Sequence, residues 1–152
     1  LGADSIPIAE VLGDLGIVYF KTGDYEKARE SLGDCLRVKR DHSCANDLGG
    51  ADVMYYLGMV MVKMKYHEEA AIYFEDSLAI RKEKLGNDHL DIADVLAEMG
   101  GICEFRRKYM ESLDKYSECL RIRKMHLGDH DLVADIYHSI GAVQQILHEH
   151  DL

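Results

Sequence analysis

Leu85-Gly86-Asn87-Asp88-His89-Leu90-Asp91-Ile92-Ala93 decides how this chain is read, because the stretch comes back. Leu1-Gly2-Ala3-Asp4-Ser5-Ile6-Pro7-Ile8-Ala9 stands 84 residues earlier, and Leu127-Gly128-Asp129-His130-Asp131-Leu132-Val133-Ala134, one residue shorter, begins 42 later. Leu15-Gly16, Leu57-Gly58, Met99-Gly100 and Ile140-Gly141 recur at intervals of 42, 42 and 41 residues. Leu36-Arg37-Val38-Lys39-Arg40, Leu78-Ala79-Ile80-Arg81-Lys82 and Leu120-Arg121-Ile122-Arg123-Lys124 follow at steps of 42. Independent landmarks in one register make a tandem repeat, in which each unit buries its apolar face only against its neighbours.

Within a repeat the apolar residues fall at helical spacing in two runs. The first extends from about Ile8 to Phe20, Gly23-Asp24 interrupts it, and the second covers Tyr25 to about Arg40. The corresponding pairs are 51–63 with 67–84 and 92–106 with 109–126, and a last helix covers 133–148. Pro7 suits a first helical turn; aspartates gather at helix starts and Arg/Lys where the second helices finish, as the helix dipole favours. No stretch has a strand pattern, so the fold class is all-α. The expected divisions are repeats at 8–49, 50–91 and 92–132, then a partial fourth at 133–152 with a first helix only. Divided this way the chain reads as an excerpt of a longer array.

Each unit carries a large residue, two positions, Leu-Gly or its like, two positions and an aromatic, then a small residue, three positions and a bulky one. The first copy has Leu12, Leu15, Gly16, Tyr19, Ala28, Leu32 and Cys35; the second has Met54, Leu57, Gly58, Met61, Ala70, Phe74 and Ser77. The third has Leu96, Met99, Gly100, Cys103, Ser112, Tyr116 and Cys119. A mid-helix glycine costs about 1 kcal/mol against alanine, so its return at one position signals close helix approach. This spacing resembles the tetratricopeptide repeat over essentially the whole chain. The 42-residue period and the Leu-Gly-Asn-Asp-His linker at 85–89 resemble the kinesin light chain type. That type carries paired asparagines before the small residue of its first helix; here those places hold Gly13-Asp14, Tyr55-Tyr56, Ala97-Glu98 and His138-Ser139. The resemblance implies a right-handed superhelical solenoid of antiparallel helix pairs, binding a peptide on a concave face lined by first helices.

Groove positions lie six and three residues before, and one and four after, the motif glycine. They give Glu10, Gly13, Ile17 and Phe20, then Asp52, Tyr55, Met59 and Val62. The third and fourth copies give Asp94, Ala97, Gly101 and Glu104, then Asp135, His138, Ala142 and Gln145. Glu10, Asp52, Asp94 and Asp135 form an acidic rail, and Tyr55, Met59 and Val62 with Phe20 form an apolar patch. Two roles fit the rail, stabilisation of helix starts and attraction of a ligand. The patch fits burial against neighbours equally with contact to a ligand. A partner combining basic and apolar residues answers both features.

The 152 residues include 18 basic and 28 acidic side chains, a net charge of −10, with 47% hydrophobic residues. Acidic balance argues against nucleic acid and against an anionic membrane surface as partners. The longest apolar stretch, 53–62, is half of what a membrane span needs. Cys35, Cys44, Cys103 and Cys119 lack disulfide spacing and fit reduced thiols in the cytoplasm. Cys35 and Cys119 share a packed small-residue slot with Ser77, while His89 and His130 sit in the linker, where local hydrogen bonding is expected. No nucleophile, phosphate loop or metal signature stands out, so neither catalysis nor a cofactor is expected. The expected function is therefore a scaffold or adaptor. Alternatives are a sensor segment of a larger signalling enzyme or NTPase, and self-association through an apolar flank of Ile136, Ile140, Val143 and Leu147 on the unpaired last helix.

Overall fold

The computed structural model describes residues 5–150. Among them the chain forms α-helices and turns, with no strand: α1 (Ile6–Thr22), α2 (Tyr25–Asp41), α3 (Leu48–Lys63), α4 (His67–Leu85), α5 (Leu90–Phe105), α6 (Tyr109–Leu127) and α7 (Asp131–His150). It divides into two compact units, Leu1–Lys84 and Leu85–Leu152. Copies of the repeated segment that fall on residues 1–4 lie outside the described residues. No described helix is long and apolar enough to cross a membrane.

The short turns inside each pair are one device used three times. Gly23 adopts φ 85°, and the same place in the next two repeats holds Lys65 (φ 70°) and Arg107 (φ 59°). After each left-handed residue the chain reaches back five positions: Asp24 N to Tyr19 O (2.9 Å), Tyr66 N to Met61 O (2.8 Å) and Lys108 N to Cys103 O (2.8 Å). These bonds satisfy carbonyls that a helix end otherwise leaves unpaired. Only the first copy uses the residue that takes this conformation without strain.

In the first unit α1 packs on α2 and α2 on α3. A Cβ on Gly16 would run into the Leu32 side chain, and one on Gly58 into the Phe74 ring at 2.6 Å. In the second unit α5 packs on α6 and α6 on α7, with Gly100 against Tyr116 in the same relation. Gly141 has nothing within 4 Å of that position, because no second helix follows α7 among the described residues. The small-residue slots are buried: Ala28, Ala70, Ser112, Cys35, Ser77 and Cys119 are all at 0% exposure. The two serines meet hydrogen bonds there, Ser77 Oγ donating to Ala51 O (2.7 Å) and Ser112 Oγ to Gly100 O (2.9 Å).

Helices start two or three residues earlier than the apolar pattern implies at α1, α3, α5 and α7. Gly49-Gly50, which precede the expected helix start at 51, form the first turn of α3, capped by Asp47 accepting from Gly50 N at 2.6 Å. Gly50 is required there by the backbone of Ala45, which occupies the space a Cβ would need. His89 and His130 use Nδ1 to accept from Asp91 N (3.0 Å) and Leu132 N (3.1 Å), so both linker histidines do local work at helix starts.

Candidate functional site

In the first unit the first-helix faces of α1 and α3 flank a cleft of ≈ 220 Å³. Its walls are Glu10, Gly13, Asp14 and Ile17 of α1 with Asp52 and Val53 of α3; Asp47 and Gly49 close one end, and Cys35 and Lys39 of α2 form the floor. Four of the expected groove positions, Glu10, Gly13, Ile17 and Asp52, thus meet at one place. Small Gly13 keeps the cleft open over Cys35, whose thiol is pushed above its ordinary value by burial. Lys39 is 6% exposed and lies 3.6 Å from Asp47 through its Nζ. Glu10 and Asp14 are exposed, and among the described residues neither is ion-paired.

The rest of the acidic rail has a different environment. Asp52 accepts from Arg81 at 2.8 Å and Asp94 from Arg123 at 3.1 Å. Both arginine side chains are almost fully buried, at 6% and 9% exposure, while the carboxylates are about half exposed (55% and 47%). The role of helix-start stabiliser therefore falls elsewhere: Asp47 and His89 cap α3 and α5, and Asp52 and Asp94 sit a full turn further on, holding buried cations. A buried guanidinium without an anion is costly, so these two carboxylates have a structural task. Asp135 is exposed on α7, its backbone carbonyl accepting from Ser139 Oγ at 3.2 Å, and His138 is exposed beside it. Glu104 accepts from Tyr116 OH at 3.2 Å; burial, then the Glu104 charge, hold that phenol well above its usual range.

The apolar patch is partly internal. Phe20 meets Tyr56 (5.8 Å between centroids) and Tyr25 (6.0 Å), and Tyr55 meets both Tyr56 (5.5 Å) and Phe74 (5.8 Å). The Arg81 guanidinium lies over the Tyr55 ring at 4.8 Å, a cation–π contact that joins the patch to the Asp52 pair. Tyr55, Met59, Val62, Ile17 and Phe20 are all half-buried, and each leaves part of its surface open. The flank expected for self-association is already used: Ile136 is 4% and Val143 0% exposed, packed in the second unit where α7 meets α6, with Ile140 and Leu147 half-buried. The exposed large apolar side chains of α7 are Leu132 and Tyr137.

Lys39, Arg81 and Arg123 were not singled out as site residues by the sequence, although they stand at steps of 42. The signal was present: each follows the buried positions 35, 77 and 119 by four, which places a cation on the packed face. A basic residue near a helix end also suits the helix dipole, and that reading says nothing of its burial.

Tetratricopeptide repeat models match residues 9–42 and 51–125. The chain belongs to the tetratricopeptide repeat family. Among solved structures it is similar to BtubC (BKLC) from P. vanneervenii, with TM-score 0.84 and 19% identity over 91% of this chain and 56% of that one. A kinesin light chain from Podosopora anserina, built of nearly identical TPR-like repeats, superposes with TM-score 0.79 and 15% identity over 98% of this chain and 71% of that one. A single-substitution variant of that protein gives TM-score 0.80 at the same identity. The tetratricopeptide chain thus spans little more than half the length of BtubC. At these identities the likeness carries the all-α fold of helix pairs. No curated protein sequence matches it.

Proposed function

We propose that this tetratricopeptide chain is a non-catalytic protein-binding module that takes a basic and apolar partner segment along its first-helix face, with the cleft between α1 and α3 as the anchoring point. The observation that carries this reading is the cleft itself: two carboxylates without ion-pair partners, Glu10 and Asp14, stand over an apolar wall of Ile17 and Val53. A lysine or arginine of the partner would meet the carboxylates, while a neighbouring apolar residue would lie toward the half-buried Phe20, Met59 and Val62. Helices that are already ordered leave the ordering cost mainly to the ligand. Its four cysteines are free thiols, which supports action in a reducing compartment such as the cytoplasm.

The test is fluorescence anisotropy on an array of labelled peptides that pair Lys or Arg with Leu or Phe, with Asp/Glu counterparts as controls. The expected result is binding of basic members only, weakening as salt rises from about 0.05 to about 0.5 M, and weakening again in Glu10→Gln/Asp14→Asn. Binding that ignores both salt and the double substitution would remove the cleft from the account.

A further inference from the structure

Two helix starts in the second unit are capped by imidazole rather than by carboxylate. His89 Nδ1 accepts from Asp91 N at 3.0 Å before α5, and His130 Nδ1 accepts from Leu132 N at 3.1 Å before α7. In the first unit Asp24 caps α2 and Asp47 caps α3. The difference matters because a ring nitrogen accepts only while it carries no proton. His42 and His126 face the carbonyls of Val38 and Asp88, so their ring nitrogens donate and keep that role when the ring is charged. An aspartate cap survives down to about pH 4, whereas imidazole changes state between about pH 5 and 8. One guanidinium links the two histidine caps. Arg123 of α6 donates through Nη2 to Asp94, one turn into α5, and through Nη1 to Leu132 O, the residue whose N–H His130 holds.

We propose that His89 and His130 form a proton-operated switch at the junction of α5, α6 and α7. Neutral, with the proton on Nε2, both rings cap; charged, both Nδ1 atoms become donors, and the Asp91 and Leu132 N–H groups lose their acceptor. Nearby carboxylates supply the alternative partners. Asp91 Oδ2 lies 3.7 Å from His89 Nδ1. Asp129 and Asp131 line one hollow with His130 and Tyr137, whose OH is held by Lys124 at 3.0 Å. His89 and Asp91 are 44% and 48% exposed, so the ion pair gained is screened by water and contributes less than the cap it replaces. The capped chain has no place for these two protons and the unfolded chain has, so stability falls as pH falls through the imidazole window. Arg121 and His126 of α6 hold Asp88 in either state, so opening is confined to the first turns of α5 and α7. The switch lies in the second unit and does not depend on the cleft reading.

The experiment takes the chain from about pH 7.5 to about pH 5.5 beside His89→Asn/His130→Asn, because asparagine caps a helix without titrating in this range. Nitrogen NMR of the wild-type imidazoles at the upper pH places the proton on Nε2 in both rings. On acidification the melting temperature falls by about 3 °C or more, and the Asp91 and Leu132 amide shifts move together toward coil values. Most of that fall disappears in the double variant, whose helix content at the upper pH matches the wild type. A proton on Nδ1 of either ring at the upper pH would overturn the proposal, and this reading needs no variant. So would a wild-type melting temperature indifferent to pH, or an equal fall in the double variant.

Discussion

The first and second repeats carry the same kinds of residue at the same positions, yet distribute their charges differently. In the second, Arg81 reaches Asp52 of its own first helix; in the first, Lys39 sits in the equivalent place but lies against Asp47, the cap of the following helix. Glu10, the equivalent of Asp52, is left to solvent. A planar guanidinium forks toward a nearby carboxylate, whereas an ammonium is a single point charge that goes where one anion suffices. One substitution in register thus separates a carboxylate held by structure from a carboxylate available to a partner.

Four effects test how far the two repeats differ. The largest effect is steric and should be shared: Gly16→Ala and Gly58→Ala each push a methyl into Leu32 or Phe74 and should cost about 1–3 kcal/mol in urea unfolding. Gly141→Ala, with open space around it, should instead stabilise by about 0.5–1 kcal/mol, and a loss there would mean that α7 has a neighbour across that face. Next, Asp52→Asn strips a buried guanidinium of its anion and should cost about 1–2 kcal/mol, less than a fully buried pair because the carboxylate is half exposed. Glu10→Gln should stay within about 0.5 kcal/mol; equal losses would erase the distinction drawn above.

Smaller still is the turn. Lys65→Gly should stabilise by about 0.5–1 kcal/mol by removing left-handed strain, and Gly23→Lys should reverse that in the first repeat, both read from denaturation midpoints. The smallest effect depends on pH. Asp24 caps α2 through Lys27 N, and hydrogen bonding to Lys27 holds its carboxyl below the ordinary 3.8. Its folded pKa is the lower one, so its contribution is complete above about 3.8 and disappears as pH falls through the depressed value. Amide exchange at Lys27 should accelerate in that window. The first turn of α4, where Tyr66 replaces the aspartate, should show no matching step.

The period, the helix pairs and their packing glycines were legible because each depends on residue size at a fixed spacing. Two things were hidden by the choice of contact rather than by residue type. Which carboxylate a recurring cation selects depends on side-chain geometry, so in sequence Asp52 and Asp94 fit helix-start stabilisation and attraction of a ligand, and their pairing with Arg81 and Arg123 does not show. On α7 the expected apolar flank is closed by α6 at Ile136 and Val143, whereas among the described residues an exposed apolar stripe lies on α1 at Val11, Leu15 and Val18. Both stripes are apolar at the same repeat positions; the order of neighbours separates them. The start of α3 was hidden for a third reason, since Gly49-Gly50 in sequence resembles a break and the Ala45 carbonyl that requires Gly50 does not show.

Arg123 donates to Asp94 of α5 and to the Leu132 carbonyl of α7 while belonging to α6. One guanidinium therefore bridges three helices. In a repeat array, cooperativity rests on nearest-neighbour terms rather than on contacts across a common centre. A side chain shared this way means that fraying of α7 withdraws a partner from the α5–α6 pair, so local opening at one end is felt by the helices before it.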